Sequence, residues 1–188
     1  LLQVDPLDLA LVPFELAATG LVNSGAQSCV ELDLGVKAEA QALAEICLKP
    51  LLQQGMDFPW LDMNAANLNG ADGQLLCSKI FFEVTERNDR RGMLLGRFGG
   101  LGSHRYGVFF TGDTASQWEV LASECEFTIR AGQVGMVYVS HDIGGFSHSP
   151  APLIDPDLYI RWLQFGTLSP VLRFHSAPGG QSRPIPYR

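Results

Sequence analysis

Five polar residues close apolar, strand-like runs in this chain: Asp62 after "FPWL", Arg97 after "MLLG", Asp113 after "VFFTG", Asp142 after "VYVSH" and His175 after "VLRF". One acid at a strand end is ordinary, because Asp is a common turn former and helix N-cap. Three acids, an arginine and a histidine at the same end of successive runs form a pattern. In parallel α/β folds the C-terminal ends of the strands lie on one face, and that face carries the chemistry. Two carboxylates facing each other there can split a glycosidic bond, one as nucleophile and the other as proton donor. Trp and Phe residues nearby would supply stacking faces for sugar rings, although aromatics such as Phe58, Trp60 and Phe110 usually mean core. Asp and His are also metal ligands, so a metal-dependent hydrolase is the rival chemistry. No HxH or HExxH spacing supports it.

Positioning these residues requires alternating strands and helices. "KAEAQALAEICL" (Lys37 to Leu48) is rich in helix formers and should end or kink at Pro50. "LLCSKIFFEVTERN" reads as a second helix, and "GMLLGRF" as a short buried strand ending near Arg97. "RYGVFFTGD" is strand-like to Asp113. A helix then follows, with Trp118, Leu121, Ala122, Cys125 and Ile129 as its apolar stripe. Thr114 and Gln117 have the spacing of a capping box at its start. "VGMVYVSHD" is the next strand, and Asp155 with Pro156 announces a last helix whose buried stripe is Leu158, Trp162 and Phe165. "PVLRFHS" is a final strand ending at His175. This rhythm predicts an α/β fold with a parallel sheet, either open and doubly wound or closed as a (β/α)₈ barrel.

Composition narrows the function classes. A length of 188 residues with 46% hydrophobic content suits a globular domain. The net charge of −7 argues against nucleic acid, whose binders need basic patches. No apolar run reaches the ~18 residues needed to span a membrane. Cys29, Cys47, Cys77 and Cys125 are scattered, without CxxC or zinc spacing, and read as buried free thiols. "GRFGGLG" opens no helix, so nucleotide binding gains no support and no cofactor is expected.

"WLDMN", "GGLGSHRYGVFFTGDTASQWEVL", "SHDIGGF", "DPDLYIRWLQFGTLSPVLRFHS" and "RPIPY" resemble, in order, motifs of the catalytic barrel of family 31 glycoside hydrolases, the α-glucosidase and α-xylosidase family. The resemblance implies a (β/α)₈ TIM barrel and a retaining mechanism with two aspartates. Matched motif by motif, Asp62 takes the place of the nucleophile and Asp113 that of the general acid/base. Asp142 and His175 would hold sugar hydroxyls in the −1 subsite. Arg97 would contact both the sugar and a catalytic carboxylate, and Trp60 and Phe146 would line the pocket. Asp57 fits a structural role. The implied partner is an oligosaccharide or α-glucoside, with no metal and no nucleic acid. A relative that binds sugar without turning it over is the alternative, motivated by the sequence "AANLNG" after "WLDMN".

A (β/α)₈ barrel takes about 250 residues. Residues 1–188 are therefore expected to form a partial barrel, roughly strands 3 to 8, with the N-terminal and C-terminal parts of the parent chain missing. Such a piece would expose strand edges.

Overall fold

The computed structural model describes residues 33–62, 72–86, 89–147 and 155–177. The apolar piece Leu1 to Val4, Cys29, the residues just after Asp62 and the closing "PGGQSRPIPYR" lie outside them. The chain divides into two compact units, Leu1–Gly107 and Val108–Arg188.

In the first unit, helix α1 runs as α-helix over Lys37–Ala42, as π-helix over Leu43–Leu48 and again as α-helix over Lys49–Gln53. The helix therefore continues a turn past Pro50 instead of ending there. A proline ring clashes with the carbonyl four residues back, here that of Ile46, and lacks the N–H to bond it. The wider π turn directly ahead moves that carbonyl aside, so the chain absorbs the proline without breaking. Leu43 and Leu48 point from this segment into a core with Leu61, Cys77, Phe81 and Leu94. Strand β1 (Trp60–Leu61) and strand β2 (Leu95–Gly96) pair in parallel, joined through helix α2 (Gly73–Thr85). Asp72 caps α2, its carboxylate accepting the Leu75 N–H at 3.0 Å. Cys77, Phe81 and Thr85 recur every four residues on the buried face of α2. At the far end, Thr85 Oγ1 accepts the Met93 N–H at 2.8 Å and so fixes where the chain turns into β2.

The second unit repeats the same logic. Strand β3 (Val108–Phe110), helix α3 (Trp118–Gln133) and strand β4 (Val139–Ser140) form a parallel βαβ unit, followed by helix α4 (Pro156–Thr167). Asp155 caps α4 as expected, and Pro156 occupies its first turn. Leu158 and Trp162 from α4, Leu121 from α3 and Ile143 make the core, with Phe165 packed against it. Burying each Leu or Ile side chain contributes about 1.5–3 kcal/mol.

Four expectations need correction here. β3 ends at Phe110, three residues short of Asp113, which therefore stands in a loop. The capping box does not form: α3 starts at Trp118 with extended Gln117 as its N-cap and no side-chain cap. The Thr114 carbonyl is instead occupied by the Phe146 and Ser147 N–H groups, so the neighbouring loop holds this segment extended. On α3 the buried positions are Leu121, Glu124 and Ala131, whereas Trp118 and Ile129 are exposed. The final strand is reduced to a bridge between Ser140 and Val171, with His175 in irregular chain beyond it.

Gly145 makes a tight demand on sequence in the second unit, because the atoms it faces are backbone. Its φ is +87°, and a Cβ there would lie 2.6 Å from the Ser116 backbone nitrogen. Gly145→Ala should destabilise the fold by about 2–4 kcal/mol, from left-handed strain plus overlap with backbone that cannot move aside. Gly132, with nothing within 4 Å of such a Cβ, is the control. Gly132→Ala should be neutral or stabilising by up to about 1 kcal/mol in urea unfolding. Equal unfolding midpoints for the two variants would contradict this account.

Candidate active site

The first unit places Asp62 and Arg97 by register alone. Trp60 pairs with Leu95 and Leu61 with Gly96, and the Arg97 N–H donates to the Leu61 carbonyl at 3.1 Å. The residue after each strand therefore sits level with its neighbour across the ladder. Arg97 Nη1 donates to Asp62 Oδ1 at 3.2 Å. Successive side chains on a strand point to opposite faces, so Trp60 shares a face with Asp62 while Leu61 enters the core. Trp60 is correspondingly exposed and Leu61 buried. The Arg97–Asp62 pair is partly open to water and contributes at most about 1 kcal/mol to stability. Its effect is on direction: the guanidinium holds one carboxylate oxygen and leaves the other to be aimed. Asp57 is exposed and pairs with Arg90 at 3.3 Å.

The second unit gathers three chain segments beyond its strand ends. Thr111 continues β3 by donating its N–H to the Ser140 carbonyl at 3.1 Å. The chain then turns at Gly112 and presents Asp113 at the surface. The Phe146 N–H donates to the Thr114 carbonyl at 2.8 Å, and the Ala177 N–H donates to the Phe146 carbonyl at 3.0 Å. The segments bearing Asp113, Phe146 and His175 are thereby tied side by side. The Phe146 and His175 rings lie 5.4 Å apart, tilted.

Asp142 lies inside the second unit. It is 0% exposed, and its Oδ1 accepts an ion pair from Arg173 Nη2. Arg173 also donates from Nε to Ser140 Oγ at 3.0 Å and lies over the Phe110 ring at 4.9 Å. A buried pair of this kind is only weakly stabilising as a whole, but removing one partner strands the other charge.

His141, beside it, is also fully buried. Trp162 Nε1, which can only donate, donates to His141 Nδ1 at 3.0 Å. The ring proton therefore sits on Nε2, which faces Ser169 Oγ at 3.0 Å, and Ser169 Oγ in turn donates to the Phe165 carbonyl. Phe165 stacks on the imidazole at 4.7 Å. Every site in this chain of bonds is filled by the neutral tautomer. Burial first, and then the nearby Arg173 charge, lower the His141 pKa to about 4.

Two residues here escape the sequence reading. Arg173 stands two positions before His175 in "RFHS", so a strand-parity reading would have grouped them on one face. Glu124 lies at 3% exposure on the inner face of α3, where a search for apolar residues passes over it. Among the described residues no group of three or more His, Cys, Asp or Glu side chains could hold a metal ion.

Two outcomes follow. Arg173→Met should cost about 3–5 kcal/mol of unfolding free energy, because Asp142 loses its counter-charge inside the protein. For His141 the folded pKa lies below the unfolded one. Its contribution is therefore complete above pH ~6.5 and is lost as pH falls toward 4. Between pH 7 and 4.5, wild type should lose about 2–3 kcal/mol more stability than His141→Gln in denaturant titrations. Parallel pH curves would show that His141 is not buried neutral.

Comparison with known proteins agrees with this architecture. Residues 17–188 match the family model for the glycosyl hydrolases family 31 TIM-barrel domain. A probable glucan 1,3-alpha-glucosidase of Oryza sativa is 40% identical over 75 residues, which is 40% of this chain and 8% of the rice protein. An alpha-xylosidase of Emericella nidulans is 32% identical over 115 residues, 60% of this chain and 14% of that protein. The chain thus spans a small part of the length of the curated relatives it matches. A family 31 dextranase of Flavobacterium johnsoniae, complexed with glucose, superposes with a TM-score of 0.73 at 21% identity, covering 91% of this chain and 24% of that one. At that identity the likeness establishes the fold, an α/β TIM barrel. Since the family match takes in nearly all of its residues, the chain belongs to glycosyl hydrolase family 31, in the TIM-barrel domain.

Proposed function

We propose that this protein is a retaining α-glycosidase that releases terminal α-linked glucosyl or xylosyl residues from oligosaccharides by double displacement. The observation that carries the reading is the Asp62 carboxylate at the end of β1, held by Arg97 from the adjoining strand, in a chain of family 31. A nucleophilic carboxylate must be fixed in direction, and one guanidinium bond to one oxygen does that. The names of the relatives, alpha-glucosidases and an alpha-xylosidase, support the substrate class.

In this reading Asp62 attacks the anomeric carbon as the glycosidic C–O bond breaks, and Asp113 gives its proton to the departing oxygen. Asp113, now a carboxylate, takes a proton from water. The water oxygen attacks the same carbon and frees Asp62, so configuration is retained. Asp113 suits a donor that must meet both leaving group and water, since it is exposed on its loop. His175 and Asp142 are assigned to the sugar's hydroxyls and Trp60 and Phe146 to its faces, with Asp142 held in direction by Arg173.

A fluorinated α-glucosyl fluoride incubated with the full-length protein should leave one glycosyl group on the peptide containing Asp62. Asp113→Ala should lower kcat by about 10²–10⁴ on substrates with poor leaving groups, and much less on activated aryl glycosides. Azide should rescue it as the α-glycosyl azide. Label on another residue would overturn the assignment of Asp62. Sugar binding by folded protein without label or turnover would replace this reading with that of a non-catalytic relative.

A further inference from the structure

Glu124 is buried on the inner face of α3, and Thr111 Oγ1 donates to its Oε1 at 2.7 Å. Thr111 is the last residue that β3 anchors before the turn at Gly112 that carries Asp113. Its N–H is held by the Ser140 carbonyl and its hydroxyl by Glu124, so both ends of the residue are fixed, one from the sheet and one from the helix. Glu124 Oε2 is buried and finds no hydrogen-bond partner among the described residues. A buried carboxylate with one bare oxygen and no counter-ion is costly unless it holds a proton.

We propose that Glu124 is a positioning residue: from inside the second unit its carboxyl group holds Thr111, and through Thr111 the turn that presents Asp113. For its catalytic readout the proposal rests on the α-glycosidase reading; for its structural readout it does not.

The surroundings decide which form of Glu124 does this. Asp142 faces it from the end of β4, and Cys125 adjoins it on α3. Among the described residues, the guanidinium beside these acids, Arg173, pairs with Asp142. Glu124 thus faces the Asp142 charge, and its protonated form relieves the repulsion. Burial raises its pKa to about 7, opposed by the Thr111 hydrogen bond and reinforced by the Asp142 charge. Because this folded pKa lies above the unfolded one, the associated stability is complete below pH ~4.5 and is lost as pH rises through 7. That is the opposite sense to His141.

Three variants of the full-length protein test this: Glu124→Gln, Glu124→Leu and Thr111→Val. Gln keeps the acceptor for Thr111 and cannot ionise. Amide hydrogen exchange at Thr111 and Asp113 should quicken by roughly tenfold or more in Glu124→Leu and Thr111→Val, and stay near wild type in Glu124→Gln. On an α-glucoside at pH 6, kcat should fall by roughly tenfold in the same two variants with KM changed less than about threefold, while Glu124→Gln retains it. Between pH 5 and 8, wild type should lose melting temperature relative to Glu124→Gln. A folded Glu124→Leu with wild-type exchange at these amides overturns the positioning role, whatever its activity. Identical pH dependence of melting in wild type and Glu124→Gln overturns the protonated form. If wild type hydrolyses no α-glycoside, the glycosidase reading fails alone, and the exchange and melting measurements still decide the role of Glu124.

Discussion

Parallel pairing is the constraint on which each unit depends. In a parallel ladder both strands run out at the same edge, so the residues just past the last paired positions are brought to one level without any side-chain interaction to draw them there. Asp62 and Arg97 meet for this reason: Leu61 pairs with Gly96, and the next residue on each strand can only be beside the other. In the second unit, Phe110 pairs with Ser140, and Thr111 and His141 follow at a common level. What differs is the use made of that level. In the first unit it holds a carboxylate and a guanidinium partly open to water; in the second it begins a buried polar layer, and the exposed acid, Asp113, comes two residues later.

That buried layer accounts for much of the character of the second unit. Ser140, His141, Asp142, Glu124 and Ser176 are all inside the protein. Such groups add little net stability compared with an apolar core, and each becomes costly when it loses a partner. They do restrict arrangement. Asp142 accepts Arg173, His141 accepts Trp162, and Glu124 accepts Thr111, so each fixes one loop or helix in one place. His141 and Glu124 are shifted in opposite directions: burial lowers the pKa of one and favours its unprotonated form, and raises that of the other and favours its protonated form. The neutral forms of both leave the charge beside them to one ion pair among the described residues, Arg173 with Asp142.

Local chemistry was readable in the chain wherever an element depends on residues near in sequence. Asp155 and Pro156 foretell the start of α4, the fourfold recurrence of Leu158 and Trp162 foretells its inner face, and apolar runs foretell where β1 and β2 end. The failures share one cause. Thr114 and Gln117 carry a capping signal, yet the backbone of the loop at Phe146 and Ser147 claims the Thr114 carbonyl first. Pro50 carries a helix-stop signal, yet the core around Leu43 and Leu48 keeps the helix going through a π turn. In both cases contacts distant in sequence outweigh a local preference, about 1 kcal/mol for the cap and about 3 kcal/mol for the proline.

The sequence by itself determined the alternation of strands and helices, the parallel sense this imposes, and the placing of Asp62, Arg97 and Asp113 at or just beyond strand ends. These follow from periodicity and turn chemistry, which act over a few residues. Only the tertiary structure decided which polar residues turn inward. Nothing in the local pattern distinguishes Glu124 from the exposed Glu119 and Glu126 on the same helix, or shows that Asp142 takes Arg173 as its partner. Burial is set by what packs against a residue from elsewhere in the chain, and so is the electrostatic environment that fixes its charge.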